Sequence, residues 1–212
     1  MTASRGRTGR PPLTEERRAQ IRLEIARAAV DLFVEQGVAA TTGEQIGQAV
    51  GVSARTVWRY FPSKESCVSP LFTAGIDAIA VCLREWRPGR PLPDAFAGEW
   101  ETGRPLVVGP DPATVGALVR LTRTEPGLRA IWLQTYDEAE PAFARALADR
   151  AGLPAGDFRP AVQAAMFNAA LRAAVEHHAW HAEATGTDPA TARAELAEAL
   201  RSALAVASEG LT

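Results

Sequence analysis

The chain has 212 residues, 47% of them hydrophobic, and a formal net charge of −2. This length and composition predict a soluble, globular protein with one large or two modest domains. No apolar run reaches the roughly eighteen residues that span a bilayer, and no apolar stretch follows the arginine-rich N-terminus. We therefore expect a cytoplasmic protein that is not exported and has no membrane partner.

The charges divide unevenly along the chain. Up to Lys64, ten Lys and Arg residues stand against six Asp and Glu residues, a net +4; beyond it, thirteen stand against nineteen, a net −6. The positive part begins with residues 1–13, which lack apolar periodicity and are predicted to form a flexible basic arm. Its Arg5, Arg7 and Arg10 either contact the phosphates or minor groove of DNA or remain solvated.

The first predicted helix runs from Thr14 to Gln36. Thr14 can cap it, Glu15 and Glu16 lie in its first turn, and Gly37 ends it. Its inward stripe consists of apolar side chains at helical spacing, namely Ile21, Ile25, Ala28 and Leu32. This helix is predicted to pack on two shorter helices and to complete a three-helix core.

Two short helices joined by a tight turn are predicted within residues 41–64. Thr41 and Thr42 can each cap the first, since a Glu or Gln stands three residues beyond each of them. Gly51 suits the left-handed conformation that often ends a helix, and Ser53 can cap the second helix. This layout is typical of a helix-turn-helix reader of DNA.

The second short helix presents polar and aromatic groups outward, because Val57 and Phe61 take its inner face. The outward residues are Arg55, Thr56, Arg59 and Tyr60. Arginine, hydroxyl and aromatic groups supply donors for guanine edges and for phosphates, although a solvated face has the same composition. Lys64 favours DNA, since a cation in a first helical turn opposes the helix dipole unless a phosphate is bound there.

The segment GVSARTVWRYFPSKE resembles the DNA-binding signature of the TetR family of bacterial transcription regulators, and the resemblance covers residues 15–67. The family usually has tyrosine where Trp58 stands and often a small residue where Arg55 stands. We expect Trp58 to be half buried and Arg55 to add base or phosphate contacts. The predicted DNA-binding residues are Thr42, Ser53, Arg55, Thr56, Trp58, Arg59, Tyr60 and Lys64, with Arg5, Arg7 and Arg10 of the arm.

Beyond Lys64 all the predicted elements are helices. The first runs to about Trp86 and is predicted to kink or to start late near Pro70. A helix from Leu128 to residue 151 should be kinked or split near Glu140 by the following proline. Between these two, the predicted elements are a break at residues 87–93, a short helix at 94–101, and a helix at 111–124.

The last two predicted helices span Phe158 to about Thr185 and Pro189 to about Ser208. The first of these is apolar on two faces, with Val162, Met166, Ala169 and Ala173 on one and Phe167, Leu171 and Val175 on the other. One face can pack on the core and the other on a partner. The TetR resemblance implies that both helices of two copies form a dimer interface, and a helix-turn-helix needs a dimer to read two half-sites.

Three histidines form the segment HHAWH. His177 and His181 have the spacing of two zinc ligands, but His178 replaces the Glu of the metalloprotease motif and no third ligand is evident. We predict that they line the dimer interface or a pocket wall, and that the protein has no metal and no cofactor. No nucleophile elbow, phosphate loop or CxxC pair is present, so we predict that the protein is not an enzyme.

The large side chains of the C-terminal part either form its core or line a small-molecule pocket. The TetR resemblance favours a pocket, since regulators of this family commonly bind a ligand in this domain and release DNA. Asn168 and Arg172 are polar groups one turn apart on an otherwise apolar helix, so we add them. The predicted pocket residues are Trp86, Trp100, Trp132, Tyr136, Phe167, Asn168 and Arg172.

Together these elements predict an all-α fold. It comprises the arm (residues 1–13), a three-helix DNA-binding domain (14–63) and a larger helical ligand-binding and dimerisation domain (64–212). The predicted function is a homodimeric repressor whose partners are double-stranded palindromic operator DNA, a second copy and an unidentified small-molecule effector. The alternative is an architectural or constitutive DNA-binding protein without a small-molecule ligand.

Overall fold

The computed structural model describes residues 14–86, 112–154, 156–181 and 189–209. Within these ranges every regular element is a helix, which confirms the predicted all-α class. The helices are α1 (Glu15–Gln36), α2 (Gly43–Ala49), α3 (Ala54–Tyr60), a 3₁₀ helix (Glu65–Val68), α4 (Ser69–Glu85), α5 (Pro112–Leu121), α6 (Pro126–Ala151), α7 (Phe158–His181) and α8 (Pro189–Glu209). The predicted arm with Arg5, Arg7 and Arg10, the helix at 94–101 and Trp100 lie outside the described residues.

Local capping chemistry sets the bounds of the N-terminal helices. Thr14 Oγ1 accepts a hydrogen bond from the first turn of α1, and Gly37 ends that helix with a φ of 85°. Of the two candidate caps of α2, Thr42 forms a reciprocal capping box with Gln45. Thr41 is buried instead, and its hydroxyl donates to the Gly37 carbonyl at 2.9 Å. The predicted starts of α1 and α2 and the predicted stop of α1 are therefore confirmed, while α2 ends at Ala49, two residues before Gly51.

The turn between α2 and α3 depends on two glycines. Gly51 has a φ of 71°, the left-handed conformation that the sequence predicts. Gly47 is not distinguished by the sequence pattern, yet a Cβ there would lie 2.7 Å from the Val52 carbonyl oxygen and 3.2 Å from the Ala54 nitrogen. Since both atoms belong to the backbone, the approach of the two helices requires glycine at position 47. Ser53 then caps α3, as predicted.

Two prolines affect the C-terminal helices less than an interior proline can. Pro70 lies in the first turn of α4, where a missing amide costs no helical hydrogen bond. The helix therefore starts late, one of the two predicted outcomes. Pro141 lies inside α6, which nevertheless continues from Pro126 to Ala151. The split that was predicted near Glu140 therefore does not occur. Packing of α6 against α4 and α7 outweighs the one backbone hydrogen bond that the proline removes.

One continuous core joins the N-terminal and C-terminal helices. The helix α1 contacts α2, the 3₁₀ helix, α4 and α5. The helix α6 contacts both α4 and α7, and α7 packs on α8. Buried side chains run without interruption from Phe33 and Phe61 through Leu71 to Phe143 and Leu171. The 3₁₀ helix and α4 therefore connect the helix-turn-helix to the interior of the C-terminal part.

The segment Glu65–Glu85 is long and apolar enough to cross a bilayer, with a mean hydropathy of 1.7 over an 18-residue window. The expectation that no apolar stretch reaches this length is wrong for this segment. Its charged residues are three near its ends and Asp77 in its interior. In the fold, 56% of the window is buried. A single helix of this kind is weak evidence for a membrane span, because core helices of globular proteins have the same composition.

Candidate nucleic-acid interface and interior polar cluster

The helix α3 has one buried face and one open face. Val57 is fully buried and Phe61, at its C-terminal end, is nearly so. The opposite face carries the four residues predicted to point outward, of which the two arginines are exposed and the other two partly exposed: Arg55, Thr56, Arg59 and Tyr60. The Arg59 guanidinium lies 5.3 Å from the centre of the Tyr60 ring. This face therefore combines cationic donors, a hydroxyl and an aromatic ring, the groups that contact bases and phosphates.

Trp58 packs against the start of α2. Its side chain is 43% exposed, which confirms the expectation that it is half buried. A Cβ added at Gly43 would lie 2.0 Å from Trp58 Cζ2, so the indole ring fits only because residue 43 has no side chain. Trp58 thereby fixes α3 against α2 beside the capping residue Thr42, while part of its ring stays open to solvent.

The Lys64 ammonium lies against the loop between α1 and α2. Its Nζ donates to the carbonyl oxygens of Val38 at 2.6 Å, Ala39 at 3.2 Å and Thr41 at 3.1 Å. An ammonium has three donors, so all of them are used. Lys64 also precedes a four-residue 3₁₀ helix rather than a long α-helix. The predicted phosphate contact therefore requires Lys64 to exchange one of its carbonyl partners.

Replacement of Lys64 by Met is expected to lower the free energy of unfolding by about 1–2 kcal/mol, because three carbonyl oxygens lose a charged donor at a partly exposed position. Chemical denaturation of both proteins measures this change. As a control, Arg27→Met removes an exposed cation from α1 and should change stability by less than about 0.5 kcal/mol. Equal effects of the two variants would refute the loop-holding role. If Lys64→Met also flattens the slope of log DNA affinity against log salt concentration by about one unit, Lys64 contacts a phosphate as well.

A charged cluster lies between α6 and α7. The carboxylate of Glu176 on α7 is buried, and its Oε1 accepts hydrogen bonds from the Arg129 guanidinium, from Trp132 Nε1 at 2.7 Å and from Arg172 Nη1 at 3.5 Å. A buried carboxylate is stable only when it is paired. Trp132 and Arg172 are among the predicted pocket residues, whereas Arg129 and Glu176 are not. The sequence feature that could have revealed Glu176 is its four-residue spacing from Arg172 on an otherwise apolar helix.

The predicted pocket residues divide into three groups. Trp132, Tyr136, Asn168 and Arg172 come together at the interface of α6 and α7. Phe167 packs edge-on against Phe143 in the core, with ring centres 5.2 Å apart. Trp86 lies apart from them at the end of α4, where its ring is covered by the Arg150 guanidinium at 3.5 Å, and Trp100 is outside the described residues.

The aromatic groups of this interface are in ring contact. The Trp132 ring centre lies 4.7 Å from that of Phe72 and 4.6 Å from that of Tyr136. Burial, with a smaller contribution from the Glu176 carboxylate, raises the pKa of Tyr136, while Arg172 opposes this. Tyr136 is therefore a neutral phenol at physiological pH. These rings fill the interface in the free chain, so they belong to its core as well as to any binding site.

Asn168 is the one buried side chain of the described residues with an unpaired polar atom. It is 7% exposed, and its Nδ2 donates to the Tyr136 carbonyl at 2.9 Å and to Glu140 Oε2 at 3.2 Å. Its Oδ1 has no hydrogen-bond partner in the described part of the chain. An unsatisfied buried acceptor costs free energy, so this atom marks a place where a donor is missing.

The histidines of HHAWH lie at the C-terminal end of α7. The rings of His177 and His181 lie against each other with centres 4.3 Å apart and planes tilted by 31°, and both residues are exposed. His178 lies on a more covered face, where burial lowers the pKa of its imidazole. Among the residues that the structure describes, no group of three or more His, Cys, Asp or Glu side chains is arranged to hold a metal ion.

One face of α7 is apolar and uncovered. Phe167 and Leu171 on the inner face are buried, in agreement with the prediction of two apolar faces. The outer face has an exposed stripe at helical spacing, which we call the α7 stripe and which consists of Phe158, Val162, Met166, Ala169 and Ala173. Contiguous exposed apolar patches of this kind mark interaction surfaces.

Both the N-terminal and the C-terminal part of the chain match known protein families. Residues 25–70 match the family model described as bacterial regulatory proteins of the tetR family, and residues 112–212 match the MftR C-terminal domain. The regulator TcmR of Streptomyces glaucescens is 36% identical over 170 residues, which cover 76% of this chain and 74% of TcmR.

Solved structures show the same fold. Salmonella enterica GusR aligns with a TM-score of 0.54 at 20% identity, over 93% of this chain and 98% of GusR. Thermus thermophilus FadR, determined in complex with lauroyl-CoA, aligns with a TM-score of 0.50 at 24% identity, over 90% of this chain and 95% of FadR. The fold combines an N-terminal helix-turn-helix, whose α3 face is open, with a helical C-terminal part. Together with these similarities, it shows that the chain belongs to the TetR family of bacterial transcriptional regulators.

Proposed function

We propose that this TetR-family regulator is a homodimeric repressor that binds a palindromic operator and is released from it by a small-molecule effector. The open face of α3 carries the proposal, because it presents exposed cationic donors on a helix whose other face is fixed in the core. A recognition helix of this kind enters the major groove, and two-fold symmetry of the dimer is matched by a palindromic site.

The DNA contacts divide by chemistry. Arg55 and Arg59 have forked guanidinium groups that suit guanine edges. Hydroxyl, indole and phenol donors at the starts of α2 and α3 and at the end of α3 suit phosphates, namely those of Thr42, Ser53, Thr56, Trp58 and Tyr60. Lys64 joins them if it exchanges a carbonyl for a phosphate, and Arg5, Arg7 and Arg10 extend the contact into the neighbouring minor groove or its phosphates.

The second copy binds through α7 and α8. The α7 stripe leaves Met166 40% exposed, and α8 packs beside it with the small side chains Ala203 and Ala205 only partly covered. Small residues allow helices to approach closely. A four-helix interface made by both helices of two chains would cover the stripe and set the separation of the two α3 helices.

Replacement of Met166 by Ser is expected to raise the dimer dissociation constant by about tenfold, because the apolar contact is lost in both copies. Sedimentation of wild-type and variant over a concentration series measures this constant. Val81 is also 40% exposed but belongs to α4 and not to the α7 stripe, so Val81→Ser is the matched control and should leave dimerisation unchanged. A monomeric wild-type protein at micromolar concentration would contradict the dimer altogether.

The effector binds in the C-terminal helices, and the cluster around Glu176 supports this assignment. Burying charged and polar groups beside an unpaired acceptor costs free energy in a core, and a buried polar atom without a partner in a native fold requires an explanation, which a bound effector supplies. The 3₁₀ helix and α4 then carry the change to the helix-turn-helix, with which they share one core.

Footprinting with the purified protein on its own upstream DNA tests the proposal. A short palindromic protected site, lost when the α3 variant Arg59→Ala is used, is the expected result. Protection without a preferred site would support the constitutive or architectural alternative. A screen by thermal shift and by release from DNA tests the effector. If no small molecule alters DNA binding, the protein is a DNA-binding regulator without an effector.

A further inference from the structure

We propose that the α6–α7 interface binds an aromatic effector that carries a hydroxyl group, with Asn168 Oδ1 as its hydrogen-bond acceptor and Arg172 as its donor. This inference rests on the proposed function, since it assigns a chemical class to the effector. Its two polar residues stand one turn apart on α7, on the face that meets Trp132 and Tyr136 of α6.

The unpaired Asn168 oxygen shows what the bound group must supply. Both hydrogens of the side-chain amide have partners, because Nδ2 donates to the Tyr136 carbonyl and to Glu140. These partners are acceptors, so they fix the orientation of the amide and leave Oδ1 as the unpaired atom. A carboxylate or a ketone cannot satisfy Oδ1, whereas a hydroxyl or an N–H group can.

Arg172 distinguishes between these two donors. Arg129 and Trp132 already pair the Glu176 oxygen closely, while Arg172 reaches it only at 3.5 Å. The Arg172 guanidinium has five N–H donors, and its contact with Glu176 is its one hydrogen bond or ion pair in the described part of the chain. It therefore remains available to donate to an acceptor, and its charge disfavours an ammonium group. A hydroxyl both donates to Asn168 and accepts from Arg172.

The contacts among the aromatic side chains indicate that the effector contains an aromatic ring. The Trp132 ring centre lies 4.7 Å from that of Phe72 and 4.6 Å from that of Tyr136, and aromatic side chains of this kind pack favourably against planar apolar rings. The Arg172 side chain is 32% exposed, so solvent reaches the interface one turn away from the buried Asn168. Because these rings touch one another in the free chain, they must move apart to admit the effector ring, which then lies against them with its hydroxyl toward Asn168 and Arg172.

Isothermal titration of the full-length protein with 2-naphthol and with 2-methoxynaphthalene tests the assignment. The two probes share the ring, but only naphthol has a hydrogen to donate. Naphthol is expected to bind at least about tenfold more tightly, the effect of one buried hydrogen bond. Asn168→Leu should abolish this preference, because it removes the acceptor, and its melting temperature reports separately the loss of the two hydrogen bonds that Nδ2 donates. Arg172→Met should reduce the preference, and Gln134→Leu, at an exposed amide of α6, should not.

Three outcomes would overturn the inference. They are no binding of naphthol, equal binding of the two probes, and an Asn168→Leu variant that loses stability but keeps the preference. The last outcome would show that Asn168 is structural or that a water molecule satisfies its oxygen. Footprinting separates this failure from that of the proposed function: a protein that protects a palindrome but ignores both probes refutes only the chemical class.

Discussion

Gly47→Val is expected to abolish specific DNA binding and to lower the free energy of unfolding by about 3 kcal/mol. A side chain at position 47 would begin 2.7 Å from the Val52 oxygen and 3.2 Å from the Ser53 carbonyl carbon and the Ala54 nitrogen. These are backbone atoms of the turn, which cannot move aside as a flexible side chain can. The helices α2 and α3 must therefore separate.

The loss of DNA affinity should exceed the loss of stability. The outward face of α3 is useful only while Val57 and Phe61 hold its inner face in the core. A shift of the helix displaces Arg55 and Arg59 together, and each correct guanidinium contact is worth about 1–3 kcal/mol. Denaturation and a gel-shift titration of the same preparation give both quantities.

Gly75→Ala provides the matched control. Gly75 lies inside α4, and nothing stands within 4 Å of a Cβ added there. Adding a Cβ at this position should therefore stabilise the protein by about 0.5–1 kcal/mol and leave DNA affinity unchanged. If Gly47→Val folds with normal affinity, the close approach of α2 and α3 is not required for reading DNA.

Sequence reasoning succeeded where the determinant is local. The cap at Ser53 and the left-handed Gly51 follow from interactions within a few residues, which a pattern of side chains reveals. The choice between Thr41 and Thr42 as the cap of α2 needed the fold. Thr41 is buried against the end of α1 and bonds to Gly37, so only Thr42 remains to cap.

Determinants that join distant segments could not be predicted in this way. The contact between Gly47 and the turn depends on the angle between two helices. The partners Arg129 and Glu176 stand 47 residues apart, and neither position reveals the other. The prediction for Lys64 shows the same limit, since its position after Pro62 suggested a phosphate while the loop carbonyls that it binds lie 23 to 26 residues earlier.

A side-chain contact links the interior cluster to the helix-turn-helix. A Cβ added at Gly127, in the first turn of α6, would lie 2.8 Å from Glu65 Cγ, so the Glu65 side chain lies directly on this turn. Glu65 follows Lys64, which holds the loop before α2. Arg129 stands two residues beyond Gly127. A short series of contacts therefore joins the turn that precedes Arg129 to the helix-turn-helix.

Glu176→Leu is accordingly expected to lower the free energy of unfolding by about 3 kcal/mol, the lower end of the range for a broken buried ion pair. The substitution leaves Arg129 and Arg172 without their carboxylate and Trp132 Nε1 without its acceptor. The arginine side chains are 29% and 32% exposed, so water replaces part of what they lose. Urea denaturation measures the change.

Two further variants separate the ion pair from the loss of a carboxylate as such. Glu198 pairs with Arg201 on the surface of α8, and Glu198→Leu should cost less than about 1 kcal/mol, as exposed pairs do. Arg129→Met combined with Glu176→Leu replaces both charges by apolar groups, and such replacements are often neutral. The double variant should therefore be more stable than Glu176→Leu alone. If it is instead less stable by the sum of both single changes, the two charges do not interact, and the cluster cannot couple α6 to α7.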